Sequence, residues 1–323
     1  MSSPVSPVVI SFPTLLSDPD GLRKDIEKAF GHDLGCLGVI LISDLPEEYN
    51  HLRENLFRLG ERFATLPERN REKYARPETS YMFGWSHGKE VMNGKPDLLK
   101  GSFYANPLTD LPDVPSSLRA SYPELGKIIY EVGLSLAKAC ETFVSSSIEG
   151  SEGVGDLLKG SNCHKARLLH YYPQSSSQIT QDELCGTHLD HSLLTGLCSA
   201  IYLDSSISPP NIIDPPSTEA GLWIYPRGES SDKGKPVKVD IPFDCLGFQI
   251  GEALEILTEG KLAATPHYVS GTMGESSNTI SRETFAFFLQ PDIDDFISPS
   301  ETFGQFTKRV LERHYTLTPQ TED

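Results

Sequence analysis

Between residues 166 and 291 the chain breaks into short apolar runs, many of them β-branched, separated by glycine and proline turns. The runs cover 166–172, 187–189, 197–203, 222–225, 237–241, 248–250, 262–269 and 284–289. Strands this short and this numerous close a core as a sandwich or jelly roll. The residues before them read differently. After a first strand at Val8-Val-Ile10, a helix capped by Asp18 or Asp20 runs to about Phe30, with Leu22, Ile26 and Phe30 at helical spacing. A buried-type strand at 37–42 stops at Asp44-Leu-Pro46. A helix from about Glu47 turns Leu52, Leu56, Leu59 and Phe63 inward.

Residues 67–74 are polar and fit a short helix or turn. Pro123 opens a long helix to about Val144, with Leu125, Ile128, Ile129, Val132, Leu136 and Ala139 as its apolar stripe. Residues 145–160 are Ser-, Gly- and acid-rich. Their Gly153-Val-Gly155 lacks the strand–loop–helix context of a phosphate cradle and reads as a flexible loop. Residues 208–217 and 228–235 read as loops, and a closing helix from Phe303 to about His314 carries Phe303, Phe306, Val310 and Leu311 on one face. Helices followed by strands predict an α+β protein with a mostly β core: a helical region over 1–150 packed on a β core over 161–295, and a C-terminal helix and tail over 296–323.

Charge narrows the partners. With 28 basic against 45 acidic residues the net charge is -17, which opposes a phosphate-tracking, nucleic-acid-binding surface. No apolar run approaches the ~18 residues that span a bilayer, and the first residues lack the basic start and apolar core of a secretory signal. Six cysteines (Cys36, Cys140, Cys163, Cys185, Cys198 and Cys245) form no Cys-x-x-Cys pair, which fits reduced thiols in the cytoplasm. No feature fixes an oligomeric state, and a monomer is the expectation.

The chemistry centres on Cys185-Gly-Thr-His188-Leu-Asp190-His191. On a strand entering a turn, His188 and Asp190 share one face while Leu189 and His191 take the other. An imidazole and a carboxylate so placed are two thirds of a facial triad for ferrous iron, and His267, in Thr265-Pro-His267-Tyr, is the candidate third ligand. A lone His-x-Asp is more often a hydrogen-bonded pair, so the flanking segments decide. Cys185 reads as a small buried hydrophobe. His191 and His170 read as supporting or core residues. His32, His51, His87, His164 and His314 read as solvated by default, with His87 alone near a stretch that could touch substrate. That stretch, residues 81–106, sets Tyr81, Phe83, Trp85, Phe103 and Tyr104 among glycines. It reads equally as pocket lining, which makes Tyr81, Phe83, Trp85 and Phe103 candidate substrate contacts, or as core.

Four segments stand in order: Arg167-Leu-Leu-His170-Tyr-Tyr172-Pro, the His188-x-Asp190 stretch, Gly251–Gly260 running into His267, and Ser281-Arg282-Glu-Thr284. This succession resembles the Fe(II)- and 2-oxoglutarate-dependent oxygenases of the isopenicillin-N-synthase-like group, over roughly residues 7 to 316. The resemblance implies a double-stranded β-helix (a jelly roll, cupin-like). It implies His188, Asp190 and His267 as iron ligands, and Arg282, Thr284 and Tyr172 as residues that hold 2-oxoglutarate. Thr284 stands where the group has Ser, and His170 where it has Asn; the gaps before and after His267 are longer than usual. The implied activity oxidises a C–H bond of a small organic substrate with O₂, releasing succinate and CO₂. Two alternatives remain: an iron oxidase of the same group that does not use 2-oxoglutarate, and a non-catalytic metabolite-binding member.

Overall fold

The computed structural model describes residues 6–92, 95–109, 114–144, 153–173, 184–228, 235–271 and 277–315. In chain order its main strands are β1 (Val8–Ser11), β2 (Val39–Ser43), β3 (Gly84–His87), β4 (Lys100–Ala105), β5 (Lys165–Tyr171), β6 (Cys185–His188), β7 (Leu194–Cys198), β8 (Ile201–Asp204), β9 (Asn211–Ile213), β10 (Gly221–Ile224), β11 (Val237–Val239), β12 (Leu246–Ile250), β13 (His267–Ser270) and β14 (Ile280–Leu289). The major helices are α1 (Arg23–Phe30), α2 (Tyr49–Ala64), α3 (Ser121–Val144), α4 (Val154–Gly160) and α5 (Phe303–Tyr315). A large sheet has the order β1-β2-β12-β7-β14-β5-β4-β3, with β8 also pairing β14 and β9 pairing β8. A smaller sheet has the order β11-β10-β13-β6.

The large sheet is buried on both faces, and its strands β2 and β12 are accordingly apolar nearly throughout. Strand β14 shows how the alternation divides. Phe285 and Phe287 join the core formed with Leu56, Phe57 and Phe63 of α2 and Tyr122, Leu125, Ile129 and Leu136 of α3. Ala286 and Phe288 turn the other way and pack with Leu169, Tyr171, Leu184 and Val269, between the two sheets. Each fully buried phenylalanine contributes roughly 1.5–3 kcal/mol. The helices thus back the large sheet, and the smaller sheet faces its inner surface.

The helical expectations hold in α1, α2, α3 and α5, and the first and second strands fall where the sequence puts them. Three readings are corrected. Residues 154–160 form α4, because Val154, Leu157 and Leu158 bury one helical face and Glu141 accepts the Gly155 N–H at 2.7 Å. Residues 145–152 of the same stretch lie outside the described residues. The run 197–203 divides into β7 and β8, and the segment 208–217 contributes the short edge strand β9. Among the described residues, no helix is long and apolar enough to cross a membrane.

His164 also departs from its reading as a solvated side chain. It is fully buried where β5 begins, with its ring nitrogens at 3.0 Å from the Leu158 carbonyl and 3.2 Å from the Gln290 N–H. Burial pushes it down to about 4. The unfolded chain takes up this proton near pH 6.5 and the folded chain only near pH 4. Stability is therefore complete above pH 6.5 and declines as pH falls toward 4, by roughly 3 kcal/mol at most. Urea denaturation across that range should show the decline, and His164→Gln should flatten it.

Candidate metal and co-substrate site

Register places the two imidazoles side by side. Strands β6 and β13 are antiparallel neighbours, and His267 stands directly opposite His188. Directly opposed side chains on neighbouring strands are in contact, and here the ring centroids are 4.3 Å apart. Asp190 lies just past the end of β6 rather than on it. Its own carbonyl accepts the Glu252 N–H at 2.7 Å, which fixes the bend that returns its carboxylate to the histidines. Oδ1 then sits 3.7 Å from His188 Nε2 and 3.9 Å from His267 Nε2. Two bonds of roughly 2.1 Å bridge ~4.2 Å, so both nitrogens lie within metal-bridging distance of the carboxylate. Among the described residues, this is the one His/Cys/Asp/Glu group whose ligand atoms gather in this way, all within 4.8 Å.

The supporting bonds choose the tautomers. His188 Nδ1 lies 2.8 Å from the Gly186 carbonyl, and His267 Nδ1 lies 3.2 Å from the Thr265 carbonyl. A carbonyl only accepts, so each neutral ring carries its hydrogen on Nδ1 and aims a lone pair from Nε2 at Asp190. Burial, then the neighbouring His188, pushes His267 down to about 4 and keeps it neutral. Burial opposes charge on His188 as well, but Cys185, 3.8 Å from Nδ1, and Asp190 hold it up to about 9. Asp190 is 7% exposed, and its Oδ2 has no hydrogen-bond partner. A buried carboxylate oxygen in that state is costly unless a cation meets it. The donor set, two imidazoles and one carboxylate on one side, fits ferrous iron.

The same pocket, about 630 Å³ with its open mouth, continues to Arg282 and Thr284. Arg282 stands opposite Tyr171 in the β14–β5 pairing, and its guanidinium carbon lies 5.1 Å from the Tyr171 ring centroid. It is 7% exposed, and Nε and Nη1 are buried without partners. Buried guanidinium donors with nothing to donate to are a binding element for an anion. The Thr284 hydroxyl donates to the Cys198 carbonyl at 3.1 Å.

Other expected residues fall elsewhere. Tyr172 faces away from the pocket: its hydroxyl donates to the Ala64 carbonyl at 3.0 Å and receives Arg71. Strand period two makes this inevitable once Tyr171 is paired with Arg282, and Tyr171 takes the inward position. His170, beside Tyr172 on the outer face, binds Glu283 at 2.8 Å. His191 likewise turns out, with Nε2 3.7 Å from Glu252. Cys185 is on the pocket wall, not a buried hydrophobe.

The aromatic stretch does not line this pocket. Trp85 and Phe103 pair across β3 and β4 on the helix side and pack edge-on against Phe63 at 5.3 and 5.8 Å. Phe83 is 39% exposed and Tyr81 sits in a turn under Lys89. For Trp85 and Phe103, core packing is therefore what the sequence signal reported. Trp85→Ala is expected to cost about 3–5 kcal/mol in chemical denaturation while leaving divalent-ion affinity unchanged. Sequence reasoning passed over Arg167, Leu169, Tyr171, Leu197, Leu222 and Phe288, all of which line the pocket. Their alternation along β5, β7, β10 and β14 was the available signal.

No protein-family model matches the chain. It is 29% identical over 147 residues, 45% of its length, to a UPF0676 protein of Schizosaccharomyces pombe, and spans about 38% of that protein's length. Solved structures match almost end to end. A 2OG-Fe(II) oxygenase family protein from Caulobacter crescentus superposes at TM-score 0.68 and 20% identity, over 95% of this chain and 99% of that one. A full-length Neurospora crassa protein, solved in complex with alpha-KG and thymine, gives 0.67 at 15% identity, over 97% and 99%. The rice dioxygenase for auxin oxidation gives 0.65 at 14% identity, over 95% and 96%. The two facing sheets with their helical backing are thus the double-stranded β-helix fold of the 2OG-Fe(II) oxygenases.

Proposed function

We propose that the protein is an Fe(II)- and 2-oxoglutarate-dependent oxygenase that oxidises a C–H bond of a small organic substrate. The observation that carries this reading is the pairing of two unmet needs in one pocket. Asp190 Oδ2 is a buried carboxylate oxygen without a hydrogen-bond partner beside His188 and His267, and Arg282 buries Nε and Nη1 without a hydrogen-bond partner. A metal satisfies the first, and the far carboxylate of a 2-oxo diacid satisfies the second.

His188, Asp190 and His267 would hold the iron from one side, leaving the opposite positions for co-substrate and O₂. Bound there, Fe(II) with 2-oxoglutarate supplies oxidative decarboxylation to succinate and CO₂ coupled to C–H oxidation. The chain's own residues set the geometry. Arg282, braced by the Tyr171 ring, orients the far carboxylate, and the Thr284 hydroxyl, which can also accept a hydrogen bond, borders the same space. Leu169, Leu197, Leu222 and Val269 wall the pocket against water. The neighbours' ligands support a small-molecule substrate: the Neurospora crassa protein is solved with thymine and with 5-formyluracil, and the Arabidopsis thaliana dioxygenase for auxin oxidation with 2-oxoglutarate. The partnerless state of Arg282 favours 2-oxoglutarate dependence over an oxidase that omits it.

Anaerobic addition of Fe(II) and 2-oxoglutarate should produce a weak visible charge-transfer band, and admission of O₂ with a turned-over substrate should yield succinate. Absence of both band and succinate would reject the assignment.

A further inference from the structure

The inner faces of β4 and β5 carry a second group of charges. Arg167 Nη2 binds Glu90 at 2.7 Å and its Nε binds the Ser102 hydroxyl at 2.9 Å. Lys100 binds Asp97 and lies 3.3 Å from Glu90. The Tyr104 hydroxyl donates to Glu90 at 2.8 Å. Burial opposes charge on Glu90, but Arg167 and Lys100 hold it down to about 2, so it is fully committed to them.

Lys165 is the exception. Strand period two sets it on the same face as Arg167, Leu169 and Tyr171, which line the pocket. Its ammonium lies over two rings, 5.5 Å from the Tyr104 centroid and 5.8 Å from that of Phe288. Phe288 is its cross-strand partner and lines the pocket with the metal-binding triad. No ion pair joins Lys165 to a carboxylate among the described residues. Two acids, Glu90 and Asp97, thus answer three cations, and the uncompensated charge rests on Lys165. Burial, and then the neighbouring Arg167, push this lysine down to about 8 against the weaker pull of Glu90, which is bonded to Arg167. Arg282 is six residues before Phe288 on β14, roughly 20 Å away along the strand. Arg282 lines the pocket, whereas Lys165 stands behind the pocket-lining Phe288 ring, so the two cations serve different places.

Building on the oxygenase assignment, we infer that the substrate is an apolar monocarboxylate, its carboxylate paired with Lys165 at the edge of the pocket and its apolar body lying against Phe288. The rings already hold the ammonium in place, so little side-chain freedom remains to be lost when the anion arrives. Leu169, Ala286 and Val269 of the pocket wall are apolar, and its polar members Arg167 and Thr195 are already engaged by Glu90 and Ser192.

The test uses protein loaded with Mn(II) and saturating 2-oxoglutarate, so that Arg282 is occupied. Calorimetry compares 3-phenylpropanoate with its neutral isostere 3-phenylpropanamide. The carboxylate should bind about tenfold or more tightly than the amide, the ratio a charge-assisted bond supplies. Lys165→Met should bring the ratio close to one, and Lys165→Arg should keep it. Equal binding of the two probes, no binding of the carboxylate, or a ratio that survives Lys165→Met would overturn the inference. The affinity for 2-oxoglutarate, measured on the same wild-type and variant samples, should not change with residue 165. Its absence from the wild type would instead count against the oxygenase assignment, so the two failures are distinct.

Discussion

Asp190→Ala is expected to eliminate Fe(II) binding and all succinate formation while making the metal-free protein more stable. The two effects have one origin. Asp190 is 7% exposed and its Oδ2 has no partner, so without an ion the fold carries a buried, half-satisfied carboxylate. Deleting it removes that desolvation cost, worth about 1–3 kcal/mol, and the melting temperature of the apo protein should rise. Deleting it also removes the only anionic ligand. Affinity for Mn(II), followed by calorimetry or by paramagnetic broadening, should fall by more than about 100-fold, beyond what loss of a supporting residue causes. A merely structural carboxylate would show the reverse, with lower stability and unchanged metal affinity.

Arg282 gives the second large effect. Arg282→Met should weaken 2-oxoglutarate binding by about 30- to 3000-fold, the loss that follows when one member of a buried charge pair is truncated. Metal affinity should stay unchanged, because the guanidinium touches none of the three ligands. Arg282→Lys is expected to rescue little. The site braces a flat guanidinium on the Tyr171 ring with Nε and Nη1 buried and unpartnered, and a single ammonium supplies neither its several in-plane donors nor the flat face. Titration with 2-oxoglutarate in the presence of Mn(II) reads all three proteins on one scale. If Arg282→Met bound 2-oxoglutarate as tightly as the wild type, the assignment of that residue would fail.

These effects also mark what a reader of the sequence could and could not see. His188, Asp190 and His267 were legible because the chemistry needs those residue types, and the turn after His188 is short. Yet Asp190 reaches the site from a bend and not from the strand, so strand alternation gave a sound answer on an incomplete ground. The tyrosine was ambiguous for a different reason. Tyr171 and Tyr172 are adjacent, a one-residue slip exchanges their faces, and only the pairing of β5 with β14 decides which turns inward. Trp85 and Phe103 misled because aromatic side chains among glycines look alike in a pocket and in a core. Gly101 is small because the Trp85 ring occupies the space where its Cβ would be, which is a packing constraint. Lys165 and Arg167 were passed over because a lysine and an arginine on a strand ordinarily reach water.

Among the described residues the smaller sheet ends at β6, a four-residue strand that has one neighbour, β13, and an irregular register with it between His267 and Val269. Two of the three proposed ligands face each other across that single seam. An ion bound there would rivet the margin of the sheet to the strand inside it, so occupancy should slow hydrogen exchange along Cys185–His188 far more than in the helices. Stripped of iron, the protein would keep its shape but present a loosened border, open to pairing with another chain.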